Sequence, residues 1–185
     1  MIGTRKGAFV AGAGAVAFGI LTVVGNVVGG APGGNYTESD VATYASIGHL
    51  PAVILSGYGA IFGVLGLICV LAYLREMMGA DPARGLATGV FWGAGLASAA
   101  SFAVGWGLTT GIAVAAAEGG TAAATVSHPT LYVLSDTVIN VLYGSGGAML
   151  GFALVALMIG SRGILPSWLR WLNLEAPTAV ETAYL

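Results

Sequence analysis

The sequence predicts an all-α membrane protein, a bundle of four transmembrane helices with both termini on the cytoplasmic side. Three observations carry that prediction. Of 185 residues, 57% are hydrophobic and only 8% charged, with a mean hydropathy of +0.89, whereas soluble domains carry about 25% charged residues. Four stretches with at most one charge each reach the roughly 20 residues that a hydrocarbon core demands. Once those stretches are threaded through a bilayer, all six Lys and Arg fall on one side, which the positive-inside rule assigns to the cytoplasm. A closed β-barrel is disfavoured, because the runs lack strict alternation and far exceed a ten-residue membrane strand.

The first span, residues 8–28, follows Arg5 and Lys6 as a signal peptide would. A secretory apolar region is about 7–15 residues long and ends in small residues of the Ala-x-Ala kind. This run is longer, and Gly29-Gly30-Ala31-Pro32 is a poor cleavage site, so a retained transmembrane helix is expected. Thr37-x-x-Asp40 reads as a capping box with Asp in place of Glu, opening a short outer helix over 40–49. Pro51 sits at the start of the second span, 50–74. A short cytoplasmic connection, 75–85, makes an antiparallel hairpin with the third span, 86–117. Ser127-His128-Pro129 reads as a cap followed by Pro in the first turn and opens the fourth span, 129–160, whose single acid is Asp136. Residues 166–174, with Trp168 and Trp171, suit an interfacial amphipathic helix at headgroup depth. A loose tail, 175–185, follows. The whole of 1–185 reads as one membrane domain.

Helices in lipid associate through close backbone packing and interhelical hydrogen bonds, because lipid tails are as apolar as Leu. Small residues four apart occur in every span: Ala11, Ala15 and Gly19 in the first, Gly59 with Gly63 in the second, Gly89 with Gly93 and Gly107 with Gly111 in the third, and Gly147 with Gly151 in the fourth. Polar stripes mark the inward faces. They run through His49, Val53, Ser56, Ala60 and Gly63 on span two, and through Ser98, Ser101, Gly105 and Thr109 on span three. On span four the stripe is Asp136, Asn140, Tyr143, Gly147 and Gly151. All three turn from polar to small with depth, which predicts a bundle pinched at the cytoplasmic end with a polar pocket opening outward.

That pocket is expected to hold His49, Ser56, His128, Asp136, Asn140 and Tyr143. An ionised Asp within a membrane helix costs roughly 2.5–3.5 kcal/mol, so Asp136 calls for a partner, water or a ligand. Outward acids are Glu38, Asp40, Glu118 and Asp136. Histidine with carboxylate ligates transition metals, which makes His49, His128 and Asp136 metal candidates, and two His also serve a haem. No His-Glu-x-x-His or Cys-x-x-Cys-His motif accompanies them. One Cys, Cys69, excludes an internal disulfide, and a net charge of −2 leaves no basic face for nucleic acid.

Several patches together resemble a family of small bacterial integral membrane proteins common in actinobacteria, a domain of unknown function. They are Val24-Gly25-Asn26 with Gly30-Ala31-Pro32, Asp40-Val41-Ala42-Thr43-Tyr44, Leu71-Ala72-Tyr73-Leu74-Arg75, and Leu165-Pro166-Ser167-Trp168-Leu169-Arg170-Trp171-Leu172. The resemblance implies a multi-pass protein of the bacterial inner membrane and contributes no catalytic residues. The expected role is a non-catalytic accessory or structural subunit of a larger membrane assembly or a homo-oligomer, in contact with lipid and with other chains. A haem- or metal-binding protein, and a lipid or small-molecule binder using the outward pocket, are the alternatives.

Overall fold

The computed structural model describes residues 5–30, 36–79, 82–123 and 125–161. These residues form helices and no strand. The elements are α1 (Arg5–Gly29), α2 (Glu38–Tyr44), α3 (Leu50–Gly79), a 3-10 turn at Pro82–Arg84, α4 (Gly85–Glu118), α5 (Gly120–Ala123), α6 (His128–Val138), a π-helical turn at Ile139–Tyr143 and α7 (Gly144–Gly160). α6, the π turn and α7 form one continuous rod. Four helices are long and apolar enough to cross a membrane: Arg5–Gly29, Leu50–Gly79, Pro82–Glu118 and His128–Gly160. They coincide with the four expected stretches. The expected interfacial helix and tail lie outside the described residues.

Local signals set the helix ends. Gly30 takes a left-handed φ of +57° at the end of α1, the conformation that glycine adopts at least cost just past a helix. The capping box at Thr37 is formed: the Asp40 amide donates to Thr37 Oγ1 at 3.3 Å, and the Thr37 amide donates to Asp40 Oδ2 at 3.1 Å. The helix it opens is shorter than expected. It ends at Tyr44, and 45–49 form hydrogen-bonded turns that put His49 just before α3. Ser127 Oγ accepts from the Thr130 amide at 3.3 Å, with Pro129 in the first turn of α6.

Neighbouring spans run antiparallel, and the closest backbone contacts pair α1 with α3, α3 with α4, and α4 with α7. At the α1–α3 crossing, a Cβ built on Gly14 would lie 2.6 Å from the Gly66 carbonyl oxygen, and one on Gly66 would collide with Gly14 in turn. Neither position has space for a side chain. Further along the same interface Gly63 lies against Leu21, and Gly25 lies against Ala60 and the Trp106 ring of α4. Gly57 and Gly95 make room for Thr110 and Leu71 between α3 and α4, while Gly146 and Gly160 meet Phe102 and Met78. A core of Val64, Leu67, Leu71, Met78, Phe91, Ala99, Ala153, Ala156 and Leu157 fills the end nearest the α3–α4 hairpin.

The faces agree with the sequence reading on two helices and differ on two. On α3, Val53, Ser56, Ala60 and Gly63 are buried, and on α4 so are Ser98, Gly105 and Thr109. On α7 the buried residues are Gly146, Ala153, Ala156, Leu157 and Gly160, and nothing lies within 4 Å of a Cβ built on Gly147 or Gly151. The inward face thus sits one residue earlier, about 100° round an axis with 3.6 residues per turn. Gly89, Gly93, Gly107 and Gly111 on α4 likewise have nothing within 4 Å, and Gly59 only brushes Leu21 at 3.9 Å. On α1 the contacts run through Ala11, Gly14, Gly25 and Gly29, leaving Ala15 and Gly19 exposed. A single reason covers these differences. In lipid both faces of a helix are apolar, so hydropathy does not separate inside from outside.

Candidate functional site

The six residues expected in one pocket occupy four settings. His49 Nε2 lies 3.3 Å from the Gly29 carbonyl oxygen, and Ser56, whose hydroxyl donates to the Val53 carbonyl at 2.9 Å, packs against the Gly29 Cα region. Both therefore hold the end of α1 against α3. His128 Nδ1 lies 3.4 Å from Glu38 Oε1, joining α6 to α2. Asp136 is half-buried on α6, where its backbone carbonyl accepts from the exposed Asn140 amide at 2.9 Å. Tyr143 points inward from the π turn. Among the described residues no group of three or more His, Cys, Asp or Glu is placed to hold a metal ion.

Tyr143 sits in an aromatic column that the sequence reading did not find. Its ring centroid lies 5.5 Å from that of Trp106 and 6.2 Å from that of Phe102, which in turn is 6.1 Å from Phe18. Glycine makes the column possible: a Cβ on Gly105 would come within 2.5 Å of the Tyr143 ring. Such tilted pairs each contribute about 0.5–1.5 kcal/mol beyond simple burial. The column ties α1, α4 and the π turn together where the fourth span leaves α-helical geometry.

Above the column, α2 packs on α3 and α4 at the end of the bundle that was expected to open outward. Tyr44, 5% exposed, packs with Val53 of α3 and Ala113 of α4. Its hydroxyl donates to the Thr109 carbonyl oxygen of α4 at 3.0 Å. Thr109 Oγ1 donates back into its own helix, to Gly105 O at 3.0 Å and Trp106 O at 3.2 Å. Burial, with the Tyr143 phenol as a second contribution, pushes the Tyr44 phenol above its ordinary range, so it stays a neutral donor. The only trace of this packing in the sequence is the capping box, which starts a helix whose Val41 and Tyr44 share one face, three residues apart.

At the outer edge of α2, hydrogen bonds from the Thr37 hydroxyl and amide hold Asp40 below the usual carboxylate range. Between α2 and the first turns of α6 lies a cleft of about 190 Å³, bordered by Tyr36, Glu38, Val41, His128 and Tyr132. A second, apolar groove of about 420 Å³ runs along the outside of α3 and α4, with Tyr58 and Ile54 on one side and Gly107 and Gly111 on the other.

The outward face of α4 completes the picture. Gly89, Gly93, Ala97, Ala100, Val104, Gly107, Gly111 and Ala115 are all exposed and recur every three or four residues. Its larger exposed neighbours are Val90, Val104 and Leu108. At the opposite end of the bundle from α2, Arg75 lies over the Trp92 ring, 4.8 Å from its centroid. Set against protein-family models, curated proteins and solved structures, the chain matches none.

Proposed function

We propose that this chain is a non-catalytic structural subunit of a cell-membrane assembly, associating through the outward face of α4 with a transmembrane helix of a second copy or of another chain. The observation that supports this most is the composition of that face. A helix turned to lipid has no use for a face made mostly of Gly and Ala, whereas a partner backbone needs one to approach closely. Those residues are spent nowhere else, because the contacts within the chain use Gly14, Gly57, Gly66, Gly95, Gly105, Gly146 and Gly160 instead. The groove beside Gly107 and Gly111 gives an incoming helix a wall on the α3 side.

In this reading both termini are cytoplasmic, since Arg5, Lys6, Arg75 and Arg84 gather at the end away from α2. The protein crosses the membrane four times and forms one membrane domain, with lipid over the remaining surface. The test is the mass of the particle extracted into lipid nanodiscs under mild conditions. A dimer, a higher oligomer or a stoichiometric complex with another membrane chain is expected. A lone copy at every protein concentration and in every mild extraction would overturn the proposal.

A further inference from the structure

We propose that the cleft between α2 and α6 binds an ammonium group, as a free organic amine or as the headgroup of an amine-bearing lipid. The charge of this end of the molecule argues for a cation. The chain has no Lys or Arg between Gly7 and Leu74, and none between Gly85 and Ser161. Glu38, Asp40, Glu118 and Asp136 thus share the α2 end with only the two histidines. Outside the cleft lining, Asp40 is committed, its Oδ2 accepting from the Thr37 amide and, at 2.6 Å, from the Thr37 hydroxyl. Glu38 is not buried in this way. Its side chain is 77% exposed, and its one described contact is His128 at 3.4 Å, so a ligand can reach the carboxylate.

The rest of the cleft narrows the class of cation. A metal ion is disfavoured, because no third His, Cys, Asp or Glu among the described residues joins Glu38 and His128. Tyr36 and Tyr132 line the cavity instead. Aromatic rings beside a carboxylate recognise organic ammonium, whose diffuse charge and apolar substituents suit a π face better than a hydrated metal ion does. The volume, about 190 Å³, is below the roughly 300–1,000 Å³ of pockets for drug-sized ligands and suits a small headgroup. Its position beside the ends of α2 and α6 places it where a spanning helix meets the headgroup layer.

The test uses the full chain in nanodiscs of phosphatidylglycerol, titrated with tetramethylammonium and with ethanolammonium against matched sodium chloride, and read by saturation-transfer NMR. Saturable transfer is expected with the wild type and binding on the order of tenfold weaker with Glu38→Gln, as for loss of a charged contact. Asp40→Asn weakens the cap that starts α2 but keeps the Glu38 carboxylate. It should therefore retain binding, which separates loss of the ligand contact from loosening of α2. Glu118→Gln should also retain it. A second arm incorporates the protein into mixed phosphatidylethanolamine and phosphatidylglycerol and measures the lipids that remain bound. Enrichment of the ethanolamine lipid, lost in Glu38→Gln, identifies a headgroup site, and soluble binding without enrichment identifies a free amine. No saturable transfer and no enrichment, or equal behaviour of Glu38→Gln and wild type, overturns the proposal.

Discussion

The outward faces of α1 and α4 belong to one molecule and have opposite textures. α1 exposes Phe9, Val10, Val16, Ile20, Val23, Val24 and Val27, a rough apolar surface between which acyl chains can settle. Between Gly89 and Ala115, α4 exposes mostly Gly and Ala, interrupted by Val90, Val104 and Leu108. By hydropathy the two are equivalent, and both helices are apolar enough to cross a membrane. What separates them is how closely another backbone can approach. Texture, rather than polarity, therefore marks an interface in lipid, because apolar burial drives nothing there and close contact does.

The same molecule supplies a calibration of that principle, since the α1–α3 crossing is an interface already made. Gly66→Leu should have the largest effect of any change considered. A side chain there collides with the Gly14 backbone, and overpacking of this kind costs about 1–3 kcal/mol or more. Lower thermal stability in detergent and loss of monodisperse protein are expected. A well-behaved Gly66→Leu variant would mean that α1 does not cross α3 at Gly14.

Substitution on the α4 face should separate assembly from folding. Gly93→Leu and Gly107→Leu point into open space within the chain, so the fold should change by no more than about 0.5 kcal/mol while association is lost. Gly19→Leu on α1 is the matched control: it also meets nothing within 4 Å, but it lies among bulky neighbours, and both stability and association should survive. Chemical cross-linking followed by thermal unfolding reads both quantities on one sample.

Smaller effects belong to the packing of α2. Tyr44→Phe keeps the ring and removes the hydroxyl that donates to Thr109 O, so a loss of about 0.5–1.5 kcal/mol is expected, seen as faster hydrogen exchange in α2. The smallest is a dependence on pH. Asp40 titrates below its ordinary value of 3.8 in the folded protein, so its cap is fully effective above that value and fades as pH falls through the lower folded value. Amide exchange at Thr37 and Asp40 should accelerate on acidification below about pH 4 in the wild type, and much less so in Asp40→Asn.

These contrasts explain what the sequence disclosed. Spans were legible because length and hydropathy are what a bilayer measures, and the caps at Thr37 and Ser127 were legible because their chemistry is local. The inward faces of α3 and α4 could be read from Ser56, Ser98 and Thr109, buried polar groups that have no place against lipid. Span four misled, because Asp136 and Asn140 are not on the face that Gly146, Ala153 and Leu157 turn to the core. The partners of the six expected pocket residues were hidden for a related reason. Placing polar residues at one end of a bundle says nothing about which neighbour each will meet: His49 meets Gly29, His128 meets Glu38 and Tyr143 meets Trp106.

The central claim, that α4 carries the interface, is tested most directly by cysteine cross-linking in native membranes. In a Cys69→Ala background, single cysteines at Gly93, Ala100 and Gly107 on α4 are compared with ones at Val16, Ile20 and Val27 on α1. The account predicts oxidative cross-links to a second copy or another chain at the α4 positions, repeating with helical period, and none above background at the α1 positions. Cross-links of equal yield on both helices, or only on α1, would contradict it.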